Sequence, residues 1–438
     1  MTDNNKGDYL VSKGYANYVF VLLFLLYLFD YIDRQIVSSL IPFIKAEWHI
    51  TDTQCGMMTS VVYWSIVAFT FPASIIIDRW SRKKSIGIMA IIWSLATAAA
   101  AITKNFSQLI ATRSAIGIGE AGYAPGGTAM ISALYPEERR SRMIGIWNAS
   151  IPLGGLIGMV LGGYIATHFG WRHAFGVVAV PGLFIAILFF FVKDYKTVSL
   201  VKRNTTGKSA REPSASGNNE AGKMSKMDIV REFTSKKSLM LTNIAFAGNT
   251  FMLIAYLNWL PTYFHRVDNL AMTQAGLKGG LVMFMAVVGT PVGGYITDRW
   301  IRKKPRARLL VPAITSFLSA GIFFTAFYFL SGTAQYTLLL IGGATGIAFS
   351  PGAIAVTQDV MHAGLRAVSY SVCVICQNLL GSSLGPIFVG AVSDRTDLKT
   401  ALTVVPVFGI IAGILYLIGS FYYDHDKAMV TDVELIVN

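Results

Sequence analysis

Five ionisable side chains sit well inside long apolar runs of this chain: Asp30, Asp33, Arg34, Arg113 and Glu120. A charge at mid-bilayer depth costs at least about 2.5–3.5 kcal/mol to insert, so it normally faces a cavity or a partner and marks a functional site. Arg113 and Glu120 are seven residues apart, which puts them within about 20° of one helix face. The rise between them is about 10.5 Å, too long for a direct pair within one helix. Each must therefore meet water, substrate or a side chain from elsewhere. Asp33 and Glu120 fall roughly 12 Å and 16 Å from the same membrane surface by that rise, close enough to share one cavity. Asp30 lies on a different face from Asp33. None of the six histidines lies deep in an apolar run, so a proton carrier has to be a carboxylate. Asp33 and Glu120 are expected to carry a coupled proton. Arg113 and Arg34 are expected to bind an anionic substrate group, with holding Asp33 in the empty site as the other use of Arg113. The plainer reading is a fixed ion-pair network that pins two helices together.

The second part of the chain has no such charges but does have neutral polar groups at similar depth. Asn249, Gln377 and Asn378 fall about ten residues into their apolar runs, and Tyr256 and Asn258 lie nearer one end. Groups of this kind orient a ligand in a mostly apolar site, or hydrogen-bond helices to each other at about 0.6 kcal/mol apiece. Asn249, Tyr256, Gln377 and Asn378 are expected to contact substrate. Other patterns carry little. Cys373-x-x-Cys376 is a lone pair inside an apolar helix and no metal site is expected. Gly117-x-Gly119-x-x-Gly122 has the spacing of a dinucleotide loop but no preceding strand; small residues there permit close helix approach. No phosphate-binding loop, zinc-protease motif or nucleophile elbow occurs, so neither an enzyme nor a bound cofactor is expected.

The elements that must position these residues follow from composition. Of 438 residues, 53% are apolar and 14% charged, with a net charge of +13 and a mean hydropathy of +0.53. Soluble domains carry about 25% charged residues. The basic residues form short clusters between long apolar runs, so the positive balance does not indicate nucleic acid. About twenty helical residues span a bilayer, and twelve segments qualify: 17–41, 56–77, 85–102, 109–134, 142–166, 174–192, 239–263, 276–297, 309–330, 336–361, 367–393 and 402–423. They lack the period-two alternation of a barrel. The expected fold is an all-α membrane protein of twelve transmembrane helices in two pseudo-symmetric six-helix bundles. Residues 1–192 form the N-terminal bundle and 239–438 the C-terminal one. A Lys-, Ser-, Asn- and Gly-rich cytoplasmic linker at 193–238 joins them, with a short amphipathic piece near Met227–Phe233.

Loops on one side, with both termini, hold 28 of the 37 Lys and Arg, and the alternate loops hold seven. Positively charged loops stay inside, so both termini are expected to be cytoplasmic, in the inner membrane if the source is bacterial.

The chain repeats itself. Thr53, Gln54 and Gly56 recur as Thr273, Gln274 and Gly276. Asp78-Arg79-Trp80-x-Arg82-Lys83-Lys84 recurs as Asp298-Arg299-Trp300-x-Arg302-Lys303-Lys304, both at a shift of 220. Leu153, Gly154, Gly158 and Gly163 recur as Leu380, Gly381, Gly385 and Gly390 at 227. Two parallel halves of six helices place a binding site between them near the midplane. The basic repeat resembles the cytoplasmic signature of the major facilitator superfamily, with Ser74, Ser81 and Ile301 where glycines are usual. That resemblance implies alternating access, with Asp78, Arg79, Asp298 and Arg299 as gating residues. Within the superfamily, Asp33-Arg34 and the Arg113-to-Tyr123 stretch resemble the spinster family. The same arrangement, with Glu120-Ala121-Gly122 and Ile151-Pro152-Leu153-Gly154-Gly155, is similar to the anion:cation symporters of sugar acids.

The expected function is a secondary active transporter, functional as a monomer, that moves a small organic anion with protons. The alternative is a spinster-like carrier of lysophospholipid, sphingolipid or another amphipath. A long lateral opening favours the lipid, and a closed arginine-lined cavity favours the anion.

Overall fold

The apolar runs are too long and too poor in charge to end in water, and with no solvent to satisfy their backbone they close their hydrogen bonds locally as helices. The computed structural model describes residues 11–79, 81–193, 232–361 and 365–430. Helix α1 is Lys13–Trp48, α2 Asp52–Arg79, α3 Arg82–Ala100, α4 Phe106–Glu120 and α5 Tyr123–Leu134. They are followed by α6 Glu137–Asn148, α7 Ser150–Phe169 and α8 Trp171–Phe189. The second half has α9 Lys237–Arg266, α10 Met272–Phe284, α11 Ala286–Ile301, α12 Ala307–Tyr328, α13 Gly332–Ile347 and α14 Ser350–Asp359. Helix α15 (Arg366–Cys376) runs through a π-helical turn, Gln377–Ser382, into α16 (Leu384–Arg395), and α17 (Leu398–Val404) and α18 (Pro406–Ala428) complete the fold.

Helix covers all twelve expected segments, and among the described residues nine helical stretches are long and apolar enough by themselves to cross a membrane. The second, third and fourth segments are not among the nine; the fourth carries Arg113 and Glu120. Most of the 193–238 stretch, including residues 227–231 of the amphipathic piece expected at Met227–Phe233, lies outside the described residues.

Several spans are interrupted. The break at Glu120–Tyr123 and the one at Ile347–Ser350 are 227 residues apart, the shift of the glycine repeat. Broken helices are where transporters build sites, and the first of these breaks begins at Glu120.

The repeat has a packing reason. A methyl group on Gly154 would lie 2.7 Å from the Leu28 carbonyl oxygen, and one on Gly158 2.6 Å from that of Ile32. In the second half, Gly381 and Gly385 stand equally close to the carbonyls of Ala247 and Phe251, at 2.6 Å each. Small residues let α7 lie against α1, and the π-helical turn and α16 against α9, backbone to backbone. Asp30 is two residues beyond Leu28 and Asn249 two beyond Ala247. The two residues are therefore structural counterparts.

The halves meet along two seams. In one, Gly163 and Gly276 pack on the backbones of Met272 and Met159; in the other, Gly390 and Gly56 pack on those of Asp52 and Pro386. The first seam is apolar. The second is charged: the Asp52 carboxylate meets Arg266 at 3.0 Å and Lys45 at 2.6 Å, and accepts a hydrogen bond from Ser393 at 2.7 Å. Asp394 accepts from the backbone N–H groups of Asp52 (2.7 Å) and Thr53 (2.9 Å) and from the Thr53 hydroxyl (2.6 Å). It thereby caps α2 from the other half, satisfying donors that the helix leaves free. Below that layer Thr59 donates to Asn258 at 2.5 Å, Ser60 to the Ser383 carbonyl, and Thr262 to the Ser38 carbonyl at 3.4 Å. These hydrogen bonds and ion pairs between the halves all lie toward the Asp52 end. That end is sealed.

Candidate functional site

The Asp30–Arg34 segment of α1 presents charges on two faces. On one, Arg34 spans two carboxylates: its Nη2 is 3.2 Å from Asp30 Oδ2, one turn back, and its Nε is 3.0 Å from Glu120 Oε2. On the other, Asp33 Oδ2 is 3.4 Å from Arg113 Nη1, and the Arg113 Nε donates to the Met58 carbonyl at 3.3 Å. Glu120, which has no cation within a turn of its own helix, thus finds one on α1. The structure brings Asp33, Arg34, Arg113 and Glu120 together and adds Asp30, whose spacing of four from Arg34 was the available signal.

Exposure separates the two arginines. The Arg34 side chain is 15% exposed and Arg113 only 1%. Arg34 lies with its guanidinium 5.0 Å from the centre of the Tyr31 ring, while Arg113 is enclosed with Asp33. The Asp30, Asp33 and Glu120 carboxylates are all buried, and Asp30 Oδ2 and Glu120 Oε2 meet Arg34 as ion pairs outside good hydrogen-bond alignment. Buried polar atoms in poorly aligned contacts are expensive. Around them, Tyr27 stacks on Trp147 at 4.2 Å and meets Tyr31 edge-on at 5.1 Å. The Tyr123 hydroxyl and the Trp147 indole N–H both donate to the Leu23 carbonyl. These aromatic contacts hold α5, α6 and α1 together beside the charges.

The polar residues of the second half divide. Gln377 and Asn378 are half-buried in the π-helical turn, where Asn378 Oδ1 accepts from Ser382 at 3.2 Å. Such turns often occur at functional sites. Asn249 is fully buried, donating to Ser316 at 2.7 Å. Tyr256 is placed apart from the others. It is buried against Phe323 and Phe327, with its hydroxyl donating to the Leu402 carbonyl at 3.0 Å. Asn258 belongs to the seal. Asp298 and Arg299 are exposed near the end of α11; the side chains of Asp78 and Arg79 lie outside the described residues.

A helical chain with a duplicated basic signature, a sealed end between two halves and buried charges below it matches a known family model, the Major Facilitator Superfamily, over residues 23–386. The chain belongs to the major facilitator superfamily. It is a multi-pass integral membrane transporter, not an enzyme. It is 26% identical to the hexuronate transporter of Bacillus subtilis (strain 168) over 385 residues, covering 86% of this chain and 88% of the relative. It is 25% identical to protein spinster homolog 1 of Xenopus tropicalis, covering 95% and 83%. Among solved structures, a bacterial homolog of the human lysosomal transporter Spinster, in an inward-facing and unoccupied conformation, superposes with a TM-score of 0.79 at 21% identity, covering 95% of this chain and 99% of that one.

Proposed function

We propose that this transporter is a proton-coupled symporter of a small organic anion of the sugar-acid type, working as a monomer by alternating access. Glu120 and Asp33 carry protons. Arg34 makes the first contact with the substrate anion, and Arg113 holds Asp33 until the site is loaded. The observation that carries this reading is the buried pairing of two arginines with carboxylates from another helix, at 3.0 Å and 3.4 Å. An anion that takes either guanidinium displaces a carboxylate, and a displaced, buried carboxylate is stabilised by a proton. Binding of anion and proton are thereby linked.

The preponderance of Lys and Arg on the side of the termini supports a cytoplasmic position for both. The sealed Asp52 end is then extracellular, and the conformation is inward-facing. Residues 1–192 and 239–438 act as two rocking bodies joined by the 193–238 linker. Asp78 and Asp298, with Arg79 and Arg299, act at the opposite, cytoplasmic gate, and the exposure of Asp298 agrees with that gate being open. Asn249, Gln377 and Asn378 orient the substrate from the second half.

The test is flux into proteoliposomes under an imposed pH gradient, with hexuronate, galactonate and lysophospholipid side by side. Sugar-acid uptake accelerated by an inward proton gradient and uncoupled from it in Glu120→Gln is the expected result. Movement of lysophospholipid alone overturns the anion reading. Flux that ignores the gradient in both proteins overturns the coupling role of Glu120.

A further inference from the structure

Asp33 and Arg113 balance each other, but the other side of the cluster does not balance: Asp30 and Glu120 face the single guanidinium of Arg34. Three carboxylates against two arginines leave one excess negative charge among groups that are almost wholly buried. Among the described residues the neighbouring titratable groups offer no second cation: Tyr27 and Tyr31 on α1, Tyr63 on α2 and Tyr123 on α5 carry phenols, which add no positive charge in either protonation state. A small cavity of about 10 Å³, near the size of one water, is bordered by both Asp30 and Glu120 together with Leu26, Ala90, Trp93 and Tyr123. Asp30 Oδ2 and Glu120 Oε2 meet the Arg34 guanidinium as ion pairs, outside good hydrogen-bond alignment.

We propose that Asp30 is a coupling residue alongside Glu120, the two carboxyl groups sharing one proton across Arg34 in the empty carrier. This rests on the proton-coupled reading above. Two carboxylates held at one site do not both stay ionised when their surroundings exclude water, and they titrate as a pair. The shared proton removes the excess charge. It also leaves Arg34 free to exchange one acidic partner for a substrate carboxylate without stranding a second. The proton passes between Oδ2 of Asp30 and an oxygen of Glu120, directly or through a water in the cavity, and no other bond changes. Asn249, the counterpart of Asp30 in the second half, is the uncharged version of the same position, so the asymmetry of charge between halves is built at this site.

The experiment is infrared difference spectroscopy of the purified carrier in lipid at neutral pH, combined with flux measurements. Wild-type protein should show the C=O stretch of a buried, protonated carboxyl group. That band should vanish in both Asp30→Asn and Glu120→Gln, and persist in Tyr256→Phe. Asp30→Asn should lose at least tenfold of its gradient-driven accumulation, because Glu120 and Arg34 then balance and hold no proton. Asp30→Glu should restore coupling. Absence of the band in wild type, its survival in Asp30→Asn, unchanged accumulation in Asp30→Asn, or failure of Asp30→Glu to restore accumulation overturns the proposal. If Glu120→Gln keeps gradient-driven uptake while the band behaves as expected, the coupling reading itself fails, and the shared proton is then only a means of burying charge.

Discussion

Arg34 and Glu120 are 86 positions apart in the chain and 3.0 Å apart in the fold. The guanidinium also reaches Asp30 at 3.2 Å, so one planar group spans acids from two helices. A lysine has a single ammonium on a flexible stem and cannot reproduce that fork. Arg34→Lys is therefore expected to lower kcat/KM by tenfold or more, equivalent to about 1.4 kcal/mol. The drop should appear in substrate titrations of uptake, with normal yield of folded protein. Retention of wild-type kcat/KM removes Arg34 from the substrate site.

The charged seam gives a second prediction. Asp52 collects Lys45, Arg266 and Ser393, and nothing equivalent stands in the apolar seam, where Met272 takes the corresponding place. Asp52→Asn should loosen the sealed end without disturbing the buried site. Because Arg266 and Lys45 are partly exposed, the pairs are worth only about 1 kcal/mol, a few-fold change in population. Spin labels at Gln54 and Thr396 should report a larger long-distance fraction than in the parent protein. An unaltered distance distribution rules out Asp52 as a latch.

Glycine packing gives a third. A methyl group at Gly158 meets the Ile32 carbonyl at 2.6 Å, whereas at Gly145 nothing lies within 4 Å. Gly158→Ala should force α7 off α1, cost about 1–3 kcal/mol and lower the midpoint of thermal unfolding. Gly145→Ala, inside helix α6, should be neutral or gain about 0.5–1 kcal/mol from helix propensity. Equal midpoints for the two variants contradict the close-approach account of the repeat.

Tyr256 separates position along the chain from position in the fold. Its hydroxyl bonds Leu402 and its ring is stacked among phenylalanines. Tyr256→Phe should cost about 1 kcal/mol of stability and leave KM for substrate within about twofold. A large rise in KM returns Tyr256 to the binding site.

The sequence by itself determined the membrane class, the helical spans, the two-fold repeat and the depth of the charges. These are consequences of local chain chemistry: apolar runs of bilayer length, glycines at fixed spacing, and charges too costly to bury idly. It also carried Arg113 and Glu120 to a shared helix face. It did not determine partners. Which carboxylate meets which arginine depends on the rotation of α1 against α4, set by how close α7 and the aromatic residues Tyr27, Tyr123 and Trp147 let the backbones come. Only the tertiary structure decided that Asp33 pairs with Arg113, that Arg34 joins Asp30 to Glu120, that Tyr256 turns into the core and that Asp394 caps a helix of the opposite half. Spacing along one helix fixes direction within that helix. The angle and distance between two helices are properties of the packed pair, and no single segment encodes them.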